Sequence, residues 1–239
     1  LLDLHKASSH CSESKLHTSI ASMDNVVIVG PKTLPPCPDC TVGKMTQQHM
    51  ERSDTQYELG ELVVTDIHFP NIKAVATSNT ACVIFVEMRS DVQKSYGIAR
   101  KSDIKGAYLE HLHYMRRYLG DQWHPKTLQC DNEKVHLYGE FKAILDSDGT
   151  FQRTSVEYSQ AQNGKAEVSG RHLFDSERTN RIASELGGEF WEKSKGYAED
   201  CRNALFSKRA QGIPILVLTK HLPDYRMWKP WGCLMFALI

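Results

Sequence analysis

Past residue 60 the apolar and polar positions fall into recognisable periods. The run 60–66, Gly-Glu-Leu-Val-Val-Thr-Asp, is rich in β-branched residues and predicts a strand ending on an acid. Residues 72–76 and 81–87 predict two further strands, with Ser78 and Asn79 turning the chain between them; three strands in succession predict an antiparallel meander. Between 104 and 119 the period changes. Ile104, Ala107, Tyr108, His111, Leu112, Met115 and Leu119 recur at three and four, which predicts a helix. A short strand over 127–131, again ending on an acid, a short helix over 138–145 and a strand over 150–156 follow. After the turn-like Gln162-Asn163-Gly164, a polar helix is expected over 165–186. A second starts near 189, with Phe190, Ser194, Tyr197, Cys201 and Leu205 along one stripe. This order predicts an α/β fold, a mixed sheet with helices packed on it.

Residues 1–50 behave differently. They are rich in His, Ser, Cys and Pro and hold only the weak apolar run 26–29, too little for a core of their own, so a bound metal is expected to supply what packing cannot. Over the whole chain hydrophobic residues make up 41%, enough to bury a core. Lys plus Arg equals Asp plus Glu at 29 each, so any basic surface must be local. No apolar run approaches the roughly 20 residues needed to cross a bilayer, and the N-terminus lacks a signal-peptide pattern. Seven cysteines with one close pair fit a reduced compartment and one metal site rather than a disulfide framework. The chain starts at Leu1 rather than Met and stops within the apolar run 234–239, so it is read as a piece of something longer.

His5 with His10, and Cys37 with Cys40, form two close pairs. Two imidazoles and two thiolates make the nitrogen and sulfur set that zinc prefers, and Pro35, Pro36 and Pro38 stiffen the turn that presents both sulfurs. Cys11, His17 and His49 are the substitutes if one ligand is misassigned. Cys82, Cys130, Cys201 and Cys233 sit in apolar or strand-like settings and are expected in the core. Asp66 and Asp131 end predicted strands while Glu167 opens a predicted helix. Phosphoryl transfer by two magnesium ions needs such acids converging from different elements, although spacing alone proves little.

Several landmarks occur together and in order: His5 and His10; Cys37-Pro-Asp-Cys40 followed by Gly43-Lys-Met-Thr; Val64-Thr-Asp66; Cys130-Asp131-Asn132; Tyr158-Ser-Gln-Ala-Gln-Asn-Gly-Lys-Ala-Glu167; Phe190-Trp191; and Trp231-Gly-Cys233. In this the chain resembles the zinc-binding region and catalytic core of copia-type retrotransposon integrases over nearly its whole length. The resemblance implies an HHCC zinc-binding region at 1–50, a ribonuclease H-like core at 51–215 and a truncated extension at 216–239. It also implies divalent metal (Mg2+ or Mn2+) at Asp66, Asp131 and Glu167 and zinc at His5, His10, Cys37 and Cys40. The implied partners are long-terminal-repeat donor DNA, target DNA and further copies of the chain; no membrane and no small-molecule substrate is expected. The resemblance implies a nuclear location; without it a cytoplasmic one is expected.

The departures are specific. Glu133-Lys-Val-His136 stands where the family has Gly-Gly-Glu-Phe, Gln160 replaces a proline, Ala161 a glutamine, and Val168 and Gly170 replace an arginine and an asparagine, while Arg171 stays. Arg89 and Asp91 lie in an altered version of the family's acidic pair followed by Ser-Arg. On a regular helix Glu167, Arg171, Arg178 and Arg181 share a face. With Asn132, Gln162, Asn163 and Lys165, Arg171 and Arg178 are the candidates for holding DNA phosphates, against the plainer reading of a solvated face paired to Glu177 and Glu185. Trp123 and Trp191 are read as packing residues, and His68, two residues past Asp66, as a residue near the metal that does not bind it. Two readings follow: an active metal-dependent polynucleotidyl transferase, limited to nicking or disintegration by the missing C-terminal portion, and an integrase-derived relic that binds nucleic acid without catalysis. An unrelated ribonuclease H-like nuclease leaves the N-terminal His and Cys pairs unexplained.

Overall fold

The computed structural model describes residues 1–23, 26–43, 56–130, 139–154 and 160–234. The N-terminal part holds three short helices, α1 (Leu2–Ala7), α2 (Glu13–Ile20) and α3 (Pro38–Gly43). The strands are β1 (Leu62–His68), β2 (Ala81–Glu87), β3 (Gln93–Ile98), β4 (Thr127–Cys130) and β5 (Phe151–Thr154), and the longer helices are α4 (Ile104–Leu119), α5 (Glu140–Asp148), α6 (Gln160–Ala183) and α7 (Trp191–Ala204), followed by the short α8 (Pro214–Thr219). The sheet order is β3-β2-β1-β4-β5. The first three strands are an antiparallel meander, and β4 and β5 continue it in parallel. This is the expected α/β architecture.

Strand periodicity divides the core into two layers. Val63, Val83, Phe85 and Leu128 face α4 and α5, where Tyr108, Leu112, Phe141 and Leu145 cover them. Leu62, Val64, Cys82, Ile84 and Val86 face the opposite way, against Ala166 and Leu173 of α6 and Trp191 and Ala198 of α7. β2 is buried along its whole length, so it reads as a continuous apolar run rather than an alternation. Asp66 and His68 follow Leu62 and Val64 at a period of two, which aims both side chains at the α6 side of the sheet.

The third strand of the meander is not where the hydrophobic pattern predicts it. Residues 72–76 form a turn: Asn71 and Ser78 take positive φ (62° and 60°), the Ala74 amide donates to the Asn79 carbonyl at 2.9 Å and the Ser78 amide to the Ala74 carbonyl at 3.0 Å. The strand lies at Gln93–Ile98 instead, and its polar residues are buried beneath α7. Lys94 Nζ lies 2.6 Å from Glu199 Oε1, and the Asn203 amide both accepts from the Gln93 N–H (2.9 Å) and donates to the Gln93 carbonyl (2.7 Å). Polar partners on a helix distant in sequence therefore stabilise a strand that has no apolar alternation.

Gln162, Asn163 and Gly164, expected to turn, lie within α6 instead, since no proline interrupts the helix and Ala166 and Leu173 anchor it to the sheet. Cys82, Cys130 and Cys201 are buried as expected, but Cys233 is exposed, on a surface segment where Leu234 is also exposed. Trp191 is buried, with Nε1 donating to the Ile72 carbonyl at 3.0 Å.

Candidate metal centres

His5 sits on α1 and His10 on the turn that follows, where Ser9 and His10 take positive φ (59° and 55°) and the His10 amide donates to the His5 carbonyl at 2.8 Å. That reversal folds the second imidazole back over the first. Cys37 precedes α3 and Cys40 lies on it. The four side chains offer donor atoms that all lie within 4.8 Å of one another. Cys37 Sγ is 3.4 Å from His10 Nδ1, and Cys40 Sγ is 3.3 Å from His5 Nε2 and 3.5 Å from His10 Nδ1. A tetrahedral zinc ion with bonds of about 2.3 Å to sulfur and about 2.0 Å to nitrogen separates such donors by about 3.5 Å, so the residues fit the ion. His5 Nδ1 lies 2.8 Å from the Cys11 carbonyl, an arrangement that leaves Nε2 as the metal-binding nitrogen. Of the substitutes, His17 bonds the Lys32 carbonyl at 2.9 Å, Cys11 is outside the set of four, and His49 lies outside the described residues.

This zinc-type module rests on the two helices behind the sheet. Asn180 Nδ2 donates to Ser9 Oγ (2.8 Å), Arg178 donates to the Gly43 carbonyl (2.7 Å), the Tyr197 hydroxyl donates to the Ala7 carbonyl and the Phe206 amide donates to Ser19 Oγ (2.9 Å). A Cβ on Gly43 would collide with Thr179, so the close approach of α3 to α6 depends on glycine there.

At the second centre, Asp66 occupies the end of β1 nearest α6. Its Oδ1 accepts from the Ile67 amide at 2.8 Å, and its Oδ2 lies 3.2 Å from His68 Nε2. Glu167 follows the buried Ala166 on α6 and is exposed, paired with Arg171 at 2.9 Å. Asp131 and Asn132 lie outside the described residues, as do the side chains of Gln162 and Asn163. Cys130, the last described residue of β4, follows the Val64 and Gln129 register pair directly.

The expected phosphate-holding cations have protein partners. Lys165 Nζ is 2.6 Å from Asp91, Arg178 also pairs with Asp175 at 2.6 Å, and Arg181 pairs with Glu177. Asp91, itself at a positive φ of 59°, also meets Arg202 (3.5 Å) and accepts from the Ser207 hydroxyl (2.7 Å). Burial alone would raise its pKa, but Arg202 and Lys165 outweigh that and hold the carboxyl at about 2. Burial, with Arg202 adding to it, pulls Lys165 itself below its ordinary value despite the Asp91 partner.

Sequence reasoning missed this Asp91 hub, whose partners lie on α6, α7 and the loop beyond. It also missed the notch at Gly170, where a Cβ would overlap the His68 imidazole. The period of two along β1 and the placement of Gly170 one turn past Glu167 were the available signals.

No protein-family model and no curated protein matches the chain. Solved structures do. A chain of the simian T-cell lymphotropic virus intasome in complex with PP2A regulatory subunit B56 gamma is similar over 98% of this chain and 79% of its own, at 16% identity and a TM-score of 0.56. The HTLV-2 integrase catalytic core domain in complex with magnesium is similar over 69% of this chain and 99% of its own, at 12% identity and a TM-score of 0.52. The BIV integrase catalytic core gives 16% identity over 67% of this chain and 95% of its own, at a TM-score of 0.48. The five-stranded mixed sheet flanked by helices is thus the ribonuclease H-like fold of integrase cores.

Proposed function

We propose that the chain is part of a copia-type retrotransposon integrase, a metal-dependent polynucleotidyl transferase that processes and joins long-terminal-repeat DNA ends to a target duplex. One juxtaposition supports this most: a converging two-His, two-Cys set docked on the helices that cover a sheet of integrase-core topology, whose β1 turns an acid toward α6, the helix that bears Glu167. On this reading residues 1–50 form the zinc region, 51–215 the catalytic core and 216–239 a C-terminal extension. The protein acts in the nucleus as a multimer.

The two-metal reading assigns Asp66, Asp131 and Glu167 as ligands of Mg2+ or Mn2+, which when bound lowers the charge cost of attack at phosphorus and of departure of the leaving oxygen. The Ile67 amide holds one oxygen of Asp66 and leaves the other for the ion. Arg171, one turn beyond Glu167, holds that carboxylate and presents a cation where a phosphodiester can approach. Asn132, Gln162, Asn163, Lys165 and Arg178 remain the candidate DNA contacts, and Lys165 and Arg178 are also tied to Asp91, Asp175 and Gly43.

Plasmid nicking by the zinc-loaded chain with Mn2+ or Mg2+ tests the reading. Nicking is expected from the native chain, with only background from Asp66→Asn and Glu167→Gln. Equal nicking by those variants, or none from folded native protein, identifies a non-catalytic relic.

A further inference from the structure

The His68 imidazole is more than a neighbour of Asp66. Among the described residues its Nε2 is a buried polar atom that makes no hydrogen bond, with Asp66 Oδ2 3.2 Å away. A buried polar nitrogen left without a partner costs on the order of 1–3 kcal/mol, so its position calls for a ligand. The separation is informative. An octahedral divalent ion with bonds of about 2.0–2.2 Å holds adjacent donors about 3 Å apart, the distance between this oxygen and this nitrogen. Both side chains project from the same face of β1, two residues apart, and Asp66 Oδ1 is already engaged by the Ile67 amide, so Oδ2 is the oxygen left for an ion.

The imidazole is also packed against α6. Its ring lies over Phe174 of α6, with centroids 5.4 Å apart at 32°. On the same helix Gly170 supplies the notch: any Cβ at 170 would overlap Nε2 and Cε1. A glycine in the middle of a 24-residue helix costs about 0.5–1 kcal/mol relative to alanine, and here it creates the room the imidazole occupies. Sequence reading placed His68 near the metal without a bond to it; the 3.2 Å approach of Nε2 to Asp66 Oδ2 motivates the other reading.

We propose that His68 is a direct ligand, with Asp66, of the divalent ion in the catalytic centre, making it a mixed nitrogen and oxygen site that prefers Mn2+ to Mg2+. Imidazole nitrogen suits first-row transition ions, whereas Mg2+ is a hard cation selecting oxygen and water. The proposal rests on the two-metal reading of Asp66, and its test separates the two.

The full chain, with its His and Cys site filled by diamagnetic zinc, is titrated with Mn2+ and examined by electron spin echo modulation, which detects a nitrogen bound directly to the ion. The native chain is expected to show imidazole nitrogen coupling that His68→Phe abolishes, with Mn2+ affinity falling roughly tenfold or more and Mg2+ affinity falling less. Gly170→Ala keeps both donors, raises helix propensity and takes away the room for the ring, so it is expected to lose the coupling as well. Mn2+ that binds without nitrogen coupling, and is released by Asp66→Asn, overturns the role of His68 and leaves the Asp66 site standing. Mn2+ that Asp66→Asn binds as tightly as the native chain, or no binding at all, overturns both.

Discussion

Replacing Cys40 by serine removes one of four ligands from the zinc-type set, and the structure indicates how far the damage spreads. Cys40 Sγ lies 3.3 Å from His5 Nε2 and 3.5 Å from His10 Nδ1, near the tetrahedral separations, and a neutral serine hydroxyl cannot replace a thiolate at that point. Structural zinc in small modules contributes about 10–16 kcal/mol, so losing one ligand of four removes on the order of 3–4 kcal/mol, or two to three decades in affinity. Little else holds residues 1–43 together: among the described residues there, the buried apolar side chains are Ala7, Leu16 and Cys37. The module is therefore expected to open, releasing Asn180 from Ser9, Arg178 from Gly43 and Tyr197 from Ala7. The sheet, with its own two apolar layers, stays folded. Zinc content by atomic spectroscopy together with hydrogen exchange is the assay. The native chain should hold one zinc and protect the amides of α1, α2 and α3, while Cys40→Ser should lose both the zinc and that protection with β1, β2 and α4 unchanged. A variant that keeps its zinc at native affinity, or a zinc-free native chain whose module amides stay protected, refutes the reasoning.

Two further substitutions probe the core. His111 is wholly buried on Phe85, with ring centroids 4.6 Å apart and 13° between planes, and among the described residues no group bonds either ring nitrogen; burial pushes its pKa down to about 3, so it is neutral in ordinary buffers. His111→Phe removes the unsatisfied nitrogens in a similar shape and is expected to raise stability by about 1–2 kcal/mol in urea titration; a loss of stability contradicts that reading. Asp91→Asn tests the hub that joins α6, α7 and the loop beyond: asparagine tolerates the positive φ, so the change isolates the charge, and leaving Lys165 and Arg202 without their carboxylate should cost about 2–3 kcal/mol, the size of the fall in the Asp91 pKa. Because the folded carboxyl titrates near 2, below its ordinary 3.8, its contribution is complete above pH 4 and disappears as pH falls toward 2, so native and Asp91→Asn stabilities should converge over that window and differ most above it. A gap that stays constant from pH 6 to 2 rules the linkage out.

How much of this was legible in the sequence depended on where each residue finds its partners. Helix α4 was predicted over its observed span because its apolar period is local and continuous from Ile104 to Leu119. The His and Cys pairs were legible because few residue types supply the nitrogen and sulfur donors that zinc prefers, and the four residues named from their types are the four that converge. β3 was not legible, since Gln93, Lys94 and Ser95 are satisfied by Glu199 and Asn203, about a hundred residues away, and no local pattern announces such partners. The opposite error at 72–76 came from a short apolar run that Asn71 and Ser78 turn back on itself. At the second centre the sequence named Asp66 and Glu167 but treated Gly170 only as a departure from the family pattern. The structure relates Gly170 to His68 through a clash that arises only once β1 and α6 are packed together.

The central claim is that Asp66, Asp131 and Glu167 act as one metal-dependent phosphoryl-transfer site on this fold. Disintegration of a branched oligonucleotide by the zinc-loaded chain with Mn2+, compared with Asp131→Asn, tests it most directly. The account predicts rejoined target strand from the native chain and none from a variant that keeps its zinc and its melting profile. Rejoining at the same rate by Asp131→Asn, or no product from folded native protein, contradicts it.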